Sequence, residues 1–345
     1  MPERLRRRRH SFEPVPLEDQ EPGSRRDFLL PIYQNAIGTA MHCPFIVLRG
    51  AMPGPVLGIC AVIHGNELNG INIIHRLLAG IEPKQLHGTI LCAPVANVPA
   101  FEAGQRRFPE DEKDLNTVFP GKRSGTPSQQ YARAFKQLFL PKLEYLIDIH
   151  TASEGRINSM YVRVDWHSDA AREMAEVLQP EIILHGRSGD GTLRNTARVM
   201  KVAAVTMEAG NPGVFQGRMA NEGESGVLRV LDALSMLPGE LPPRLSREPV
   251  VCKSSSWLRT EAGGVLEILF GLTDHVQKGV TLARLNDPFG NVVAAYRAPH
   301  DGIVIGMTRS PIAVPGTRYC HLGIVGTPVL AKPPGGAAVG DPGTR

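Results

Sequence analysis

The sequence predicts an α/β protein, with a mixed, largely parallel central sheet flanked by helices and a small all-β domain after it. Three observations predict this. Apolar runs at 56–63, 88–95, 143–150 and 202–210 read as buried strands. Between them lie segments with apolar residues at helical spacing, such as Ile71, Ile74, Leu77 and Leu78. Strands that alternate with helices suggest βαβ units. From Cys252 the pattern switches to short β-rich runs separated by Gly, Pro, Asn and Asp turns.

Taken in order, residues 1–26 are charged and proline-bearing without periodicity, and read as a disordered basic arm. Strand-like pieces follow at Ile32-Tyr33 and Phe45-Ile-Val-Leu48, and Met52-Pro-Gly-Pro55 turns the chain into the 56–63 strand. Gly65 and Gly70 in the next loop allow backbone conformations that are costly for other residues. Residues 97–125 read as one long loop, of the kind that is usually functional or disordered. It ends where Thr126, Pro127 and Gln129 form a capping box with proline at the first helical position. Tyr131, Phe135, Leu138 and Phe139 supply that helix with its apolar face.

A strand at 160–164, a helix at 169–178 capped by Ser168, and a short strand at 181–185 come next. A Gly-rich loop spans 186–194, and a last amphipathic helix spans 226–237. Pro238, Pro242 and Pro243 mark a linker, so the expected division is 27–243 and 250–330. The β-rich runs of the second part are 264–270, 280–285, 292–298, 303–307 and 320–325. Residues 331–345, rich in Pro, Gly and Ala, read as a disordered tail.

Composition narrows the function. With 345 residues, 42% of them hydrophobic, the chain can bury a full core. Much of its net charge of +4 sits in the arginines of 4–9, so the body is near neutral and does not suggest a nucleic-acid binder. No apolar segment follows those arginines as in a secretory signal, and no uncharged stretch approaches a membrane span. The five cysteines are scattered, with no C-x-x-C pair, which fits a reducing compartment and makes the cytoplasm the expected location. The oligomeric state stays open, a homo-oligomer included.

The chemistry gathers at strand ends. His64 closes the first buried run, Glu67 follows in a tight loop, and His150 closes the 143–150 run. If these strands are parallel neighbours, their carboxyl ends meet at the edge where open α/β sheets place their sites. Two imidazoles and one carboxylate, with a fourth position for water, form the ligand set of catalytic zinc. Glu208, near the end of the 202–210 run, is then free to act as base for that water. Asp148 lies on the strand face of His150 and can orient its ring.

Four ordered motifs, His64-Gly-Asn-Glu-Leu-Asn-Gly70, Asp114-Leu-Asn-Thr-Val-Phe-Pro-Gly121, Asp148-Ile-His-Thr-Ala152 and Met207-Glu-Ala-Gly-Asn-Pro212, resemble those of the succinylglutamate desuccinylase/aspartoacylase family. The resemblance runs from about Pro31 to Val325. It implies a zinc carboxypeptidase-like fold, one zinc ion on His64, Glu67 and His150, Glu208 as general base and acid, and a small N-acyl substrate. It also implies an arginine that stabilises the oxyanion, for which Arg106 is the best match and Arg107 the alternate. The 250–330 part resembles the barrel-sandwich module of biotinyl and lipoyl carriers. No lysine sits at an evident hairpin tip there, so it reads as a scaffold or a cover for the site.

One position departs from the family. Its Asp-Leu-Asn-Arg is Asp114-Leu115-Asn116-Thr117 here, and the Asn-Arg pair is what grips the substrate carboxylate in the family. Asn116 can still donate one neutral hydrogen bond, but Thr117 offers no forked cation. Arg156, Arg163 and Arg194 are candidates to replace it. The expected activity is zinc-dependent hydrolysis of an N-acyl amino acid or related small amine. Carboxypeptidase action on a peptide tail, or a decayed metal-binding protein, is the alternative.

Overall fold

The computed structural model describes residues 12–187, 189–237 and 246–328. Its elements are β1 (Ser24–Gln34), β2 (Ala40–Arg49), β3 (Met52–Ala61), α1 (Asn69–Gly80), β4 (His87–Ala93), α2 (Val98–Glu102), α3 (Pro127–Phe139) and β5 (Tyr145–His150). They continue with β6 (Arg156–Asn158), β7 (Met160–Val164), α4 (Asp169–Leu178), β8 (Ile182–His185), α5 (Leu193–Val199), β9 (Ala203–Ala209) and α6 (Gly217–Ala233). The C-terminal part holds β10 (Val250–Arg259), β11 (Gly264–Ile268), β12 (His275–Val276), β13 (Thr281–Asn286), β14 (Val292–Arg297), β15 (Gly302–Thr308), β16 (Ile312–Ala313) and β17 (Arg318–Val325).

One large mixed sheet runs in the order β1-β2-β4-β3-β5-β9-β7-β8-β10-β17-β15-β12, with β6 on β15. Its centre, β4-β3-β5-β9, is parallel. Alternation along the strands sorts side chains onto two faces. Leu57, Ile59, Ile90, Cys92, Ile147, Ile149, Val205 and Met207 pack under α1, α4 and α6. Cys60, Leu91, Ala93, Leu146 and Ala204 face the opposite way, under α3 and α5, where Tyr131, Phe135 and Phe139 complete a second core. The Thr126 N–H donates to Gln129 Oε1 at 3.1 Å, so the capping box forms where the sequence places it.

Several expectations change. Residues 1–11 lie outside the described residues, but 12–26 are not a disordered arm. Val15 and Leu17 are buried in the second core, and the Val15 N–H donates to the Leu138 carbonyl at 3.0 Å, because these apolar side chains cover the end of α3. The 97–125 segment contains α2, capped by the Asn97 side chain, and a 3-10 turn at Leu115–Thr117. The 186–194 loop runs into α5, and the last helix begins at Gly217 rather than 226. Residues 329–345 lie outside the described residues.

The C-terminal part is not a closed all-β domain. β10 pairs parallel with β8 and β15 pairs with β6, so four of its strands extend the main sheet. The remaining strands form a separate four-stranded sheet, β14-β13-β11-β16, over their own core of Leu266, Leu282, Leu285 and Tyr319. Among the described residues, no helix is long and apolar enough to cross a membrane.

At Gly70 α1 approaches the sheet too closely to leave room for a side chain. A Cβ there would lie 2.5 Å from Ala61 Cβ and 3.0 Å from Ile149 Cγ2. Gly70→Ala should therefore lose roughly 1–3 kcal/mol through overpacking. Thermal or urea denaturation reads this, and an unchanged midpoint would show that α1 can shift freely.

Candidate active site

The two catalytic-looking histidines arrive on adjacent parallel strands. β3 and β5 pair in register, with Ala61 opposite Ile149. After β3 the chain bends at Val62, a buried β-branched residue at φ 60°, a conformation such residues rarely adopt outside functional sites. The Asn97 N–H pins the Val62 carbonyl at 3.0 Å, and the Glu67 N–H closes the turn onto the His64 carbonyl at 3.1 Å. Neither Gly65 nor Gly70 has a positive φ, contrary to the sequence reading. What Gly65 supplies is contact: a side chain there would run into the Ala100 backbone of α2.

Three buried groups then converge. His64 Nδ1 and His150 Nδ1 are 3.2 Å apart, Glu67 Oε1 is 2.9 Å from His64 Nδ1, and Glu67 Oε2 is 3.0 Å from His150 Nδ1. The Thr151 N–H donates to Glu67 Oε2 at 3.1 Å. Each imidazole is held from behind by a carboxylate: Asp148 Oδ2 lies 3.0 Å from His150 Nε2, and Asp114 Oδ1 lies 2.9 Å from His64 Nε2. The Cys60 thiol meets the other oxygen of Asp148 at 3.3 Å. These donors fit a divalent metal. Two ring nitrogens and a carboxylate turn toward one point at spacings that an ion with bonds of about 2.0–2.2 Å can bridge, and the distal nitrogens already have orienting partners.

The charges are strongly coupled. Burial opposes ionisation of Glu67, yet the two imidazoles outweigh it and hold the acid well below the usual carboxylate range. Burial likewise works against the His150 cation, but Asp148 and Glu67 push its pKa well above the ordinary imidazole value. His64 moves the same way through Glu67 and Asp114, against burial and Arg106.

Arg106 stands beside this cluster. Its Nη1 donates to Glu67 Oε1 at 2.6 Å and its Nη2 to Asp114 Oδ2 at 2.8 Å. Glu208 comes from β9, whose register sets it opposite His150. It accepts from Asn158 Nδ2 at 3.3 Å and from Arg163 Nε at 3.4 Å. His64, Glu67, Arg106, His150 and Glu208 line one cavity of about 350 Å³.

Of the other predicted residues, Asn116, Arg156, Arg163 and Arg194 line the cavity too. Asn116 Oδ1 accepts from the Leu193 N–H at 2.8 Å, which leaves its amide N–H₂ for a ligand. Arg194 is 8% exposed; its Nη2 donates to the Gly186 carbonyl at 3.2 Å, and its Nη1 has no partner among the described residues. Burial and Arg163 pull its pKa down to about 10. Two predicted residues are not brought in. Arg107 is exposed and donates to the Glu112 carbonyl at 3.0 Å, because its neighbour Arg106 takes the inward position. Thr117 is exposed, and its hydroxyl folds back onto the Asp114 carbonyl at 2.7 Å, completing the 3-10 turn.

Sequence reasoning missed the role of Asp114, although its motif was in view, and missed Trp257 and Arg318, which wall the cavity from the C-terminal part. Trp257, one of only two tryptophans, in a strand that begins beside β8, was the available signal.

Comparison with known proteins agrees with this geometry. Residues 53–234 match the model of the succinylglutamate desuccinylase/aspartoacylase catalytic domain. The chain is similar to an N-alpha-acetyl-L-2,4-diaminobutyric acid deacetylase of Halomonas elongata, 29% identical over 85% of this chain and 89% of that protein. It is also similar to a succinylglutamate desuccinylase of Ectopseudomonas mendocina, 26% identical over 47% of this chain and 52% of that one. Among solved structures, a succinylglutamate desuccinylase from Silicibacter sp. TM1040 superposes with a TM-score of 0.80 at 24% identity, over 90% of this chain and 97% of the other. The product-bound ectoine utilization protein EutE of Ruegeria pomeroyi gives the same TM-score, identity and coverage. At this identity the likeness concerns the fold.

The raised imidazole pKa values give a sign for metal uptake. In the metal-free chain His64 and His150 keep their protons to higher pH than free histidine, and the stability they add is lost as pH rises through those values. Ligation needs the neutral rings, so binding of a divalent metal such as Zn²⁺ should release protons and weaken as pH falls. Calorimetry in buffers of different ionisation enthalpy counts those protons, and uptake without release would contradict the assignment.

Proposed function

The chain belongs to the succinylglutamate desuccinylase/aspartoacylase family, and on that premise we propose that it is a zinc-dependent amide hydrolase that removes the acyl group from a small N-acyl amino acid. The observation that carries this reading is the convergence of His64, Glu67 and His150 with Glu208 and Arg106 in one cavity. The reading includes the zinc carboxypeptidase-like fold implied by the motifs. Both relatives named above with a substrate in their names act on N-acylated amino acids.

His64, Glu67 and His150 would hold the zinc. When bound, such an ion acidifies water to a pKa of about 7 and polarises a carbonyl. Glu208 takes a proton from the attacking water and returns it to the leaving nitrogen, which must depart as a neutral amine. Arg106 uses one N–H on Glu67 and one on Asp114, and its remaining N–H groups can stabilise the tetrahedral oxyanion. Asp114 and Asp148 fix the rings, so the site does not reorganise during the reaction. A cavity of about 350 Å³ walled by Trp257 and Arg318 suits a small molecule better than a peptide tail.

The α-carboxylate of the substrate takes the place of the family's missing arginine contact through Arg194 and Asn116. A buried guanidinium with an open N–H is costly until an anion meets it.

Glu208→Gln should retain zinc but lower kcat by roughly two to four orders of magnitude. A variant within a few-fold of wild type would remove Glu208 from proton transfer.

Arg194→Gln should lower kcat/KM for N-acyl amino acids by about ten- to hundredfold relative to their α-amides. The check is the acid-to-amide ratio in both proteins, and an unchanged ratio would place the carboxylate elsewhere.

A further inference from the structure

Asp148 is fully buried, yet it has to be held by something other than the ring it orients. Its Oδ2 lies 3.0 Å from His150 Nε2. Its Oδ1 points across to the neighbouring strand. β3 and β5 pair with Cys60 opposite Asp148, and paired residues of parallel strands project to the same face of the sheet. The Cys60 Sγ accordingly lies 3.3 Å from Oδ1. Burial, and after it the nearby Asp148, push the Cys60 thiol well above its ordinary pKa, so it keeps its proton and meets the carboxylate as a donor.

This contact has a consequence for the metal site. An ionised carboxylate only accepts hydrogen bonds, and a buried oxygen with no donor is costly and turns toward any donor it can reach. Rotation of Asp148 would carry Oδ2 away from His150 Nε2 and free the ring. With the thiol on Oδ1, the carboxylate plane is fixed at both oxygens. His150 then keeps Nδ1 directed at Glu67 Oε2 and His64 Nδ1, at 3.0 and 3.2 Å. The choice of sulfur also matters. A thiol is a weaker donor than a hydroxyl, so it fixes Asp148 while drawing little charge from it, and Oδ2 stays a strong acceptor for the ring.

We propose that Cys60 is a positioning residue of the metal site, its S–H fixing Asp148, which fixes His150. The thiol touches neither the substrate nor the metal. Cys92 supplies the contrast: it is equally buried, one strand away on β4, but packs on the opposite face under α1, α4 and α6. The proposal rests on the zinc reading above, since it uses that ion as its probe.

Two variants separate positioning from packing. Cys60→Ala and Cys60→Ser both lose the sulfur and its contacts, so both should lower the melting temperature, but only serine keeps a donor for Oδ1. Zinc affinity, measured by competition with a chromogenic chelator, should fall about ten- to hundredfold in Cys60→Ala and stay within about threefold of wild type in Cys60→Ser. The visible spectrum of the Co²⁺-loaded chain should change in the alanine variant and be kept in the serine variant. Cys92→Ala and Cys92→Ser should leave zinc affinity unmoved. Equal affinities in Cys60→Ala and Cys60→Ser, whether both unchanged or both reduced, would overturn the role. A wild-type chain that takes up no zinc would sink the ligand assignment instead. The thiol is then decided on the metal-free chain by the ring-nitrogen NMR shifts of His150, which should move in Cys60→Ala and hold in Cys60→Ser; identical shifts in all three proteins would overturn it.

Discussion

The structure depends on keeping one carboxylate, Glu67, charged where water does not reach it. A buried anion without partners would cost several kcal/mol and would simply take up a proton. Here His64, His150, Arg106 and the Thr151 N–H surround it, so the charged form is the favoured one. Each of those partners constrains a different part of the chain. His150 requires β5 to run parallel beside β3, and His64 requires the Val62 bend. Arg106 requires the 97–125 segment to fold back over the strand ends. Asp114 joins them, with one oxygen on His64 and the other on Arg106. A single side chain therefore couples the orientation of His64 to that of Arg106, and loss of it would loosen both.

Most of this was legible in the sequence because strands and ligands leave local signals. His64, His150 and Glu208 each sit at or near the end of an apolar run, and period-two alternation carries Asp148 to the same face as His150. The Thr126–Gln129 cap was legible for the same reason, since its partners are three residues apart. What failed was non-local. The burial of Val15 and Leu17 depends on where α3 ends in space, and the extension of the sheet through β10 depends on an edge at β8. No local pattern encodes either. Val62 shows the limit from the other side: a β-branched residue at positive φ violates the local preference, and the surrounding hydrogen bonds impose it. Such conflicts between local preference and fold are expected at functional sites.

Thr117 makes the same point about substitution. From sequence it reads as a change in the binding site, a lost cation facing the substrate. In the structure its hydroxyl closes a turn, and the side chain is on the outside. Chain position within a motif fixed the backbone but not the direction of the side chain. Arginines from β6, β7 and α5, elements with no sequence proximity to this motif, line the same cavity.

Those arginines differ in kind from Arg106, and the difference follows from what holds them. Arg106 is oriented by two carboxylates, so its net effect on a distant anion is small. Arg163 rests over the Tyr161 ring at 5.2 Å and donates to its hydroxyl at 2.7 Å, and Arg156 rests over Trp257. Rings set direction without supplying negative charge, though Arg163 also reaches Glu208 at 3.4 Å, and the six arginines that line the cavity outnumber its two glutamates. Burial lowers the pKa of both Arg156 and Arg194. In the proposed reading, the neutralised groups perform the chemistry, and Arg194, with an open N–H among the described residues, selects the molecule on which it is performed.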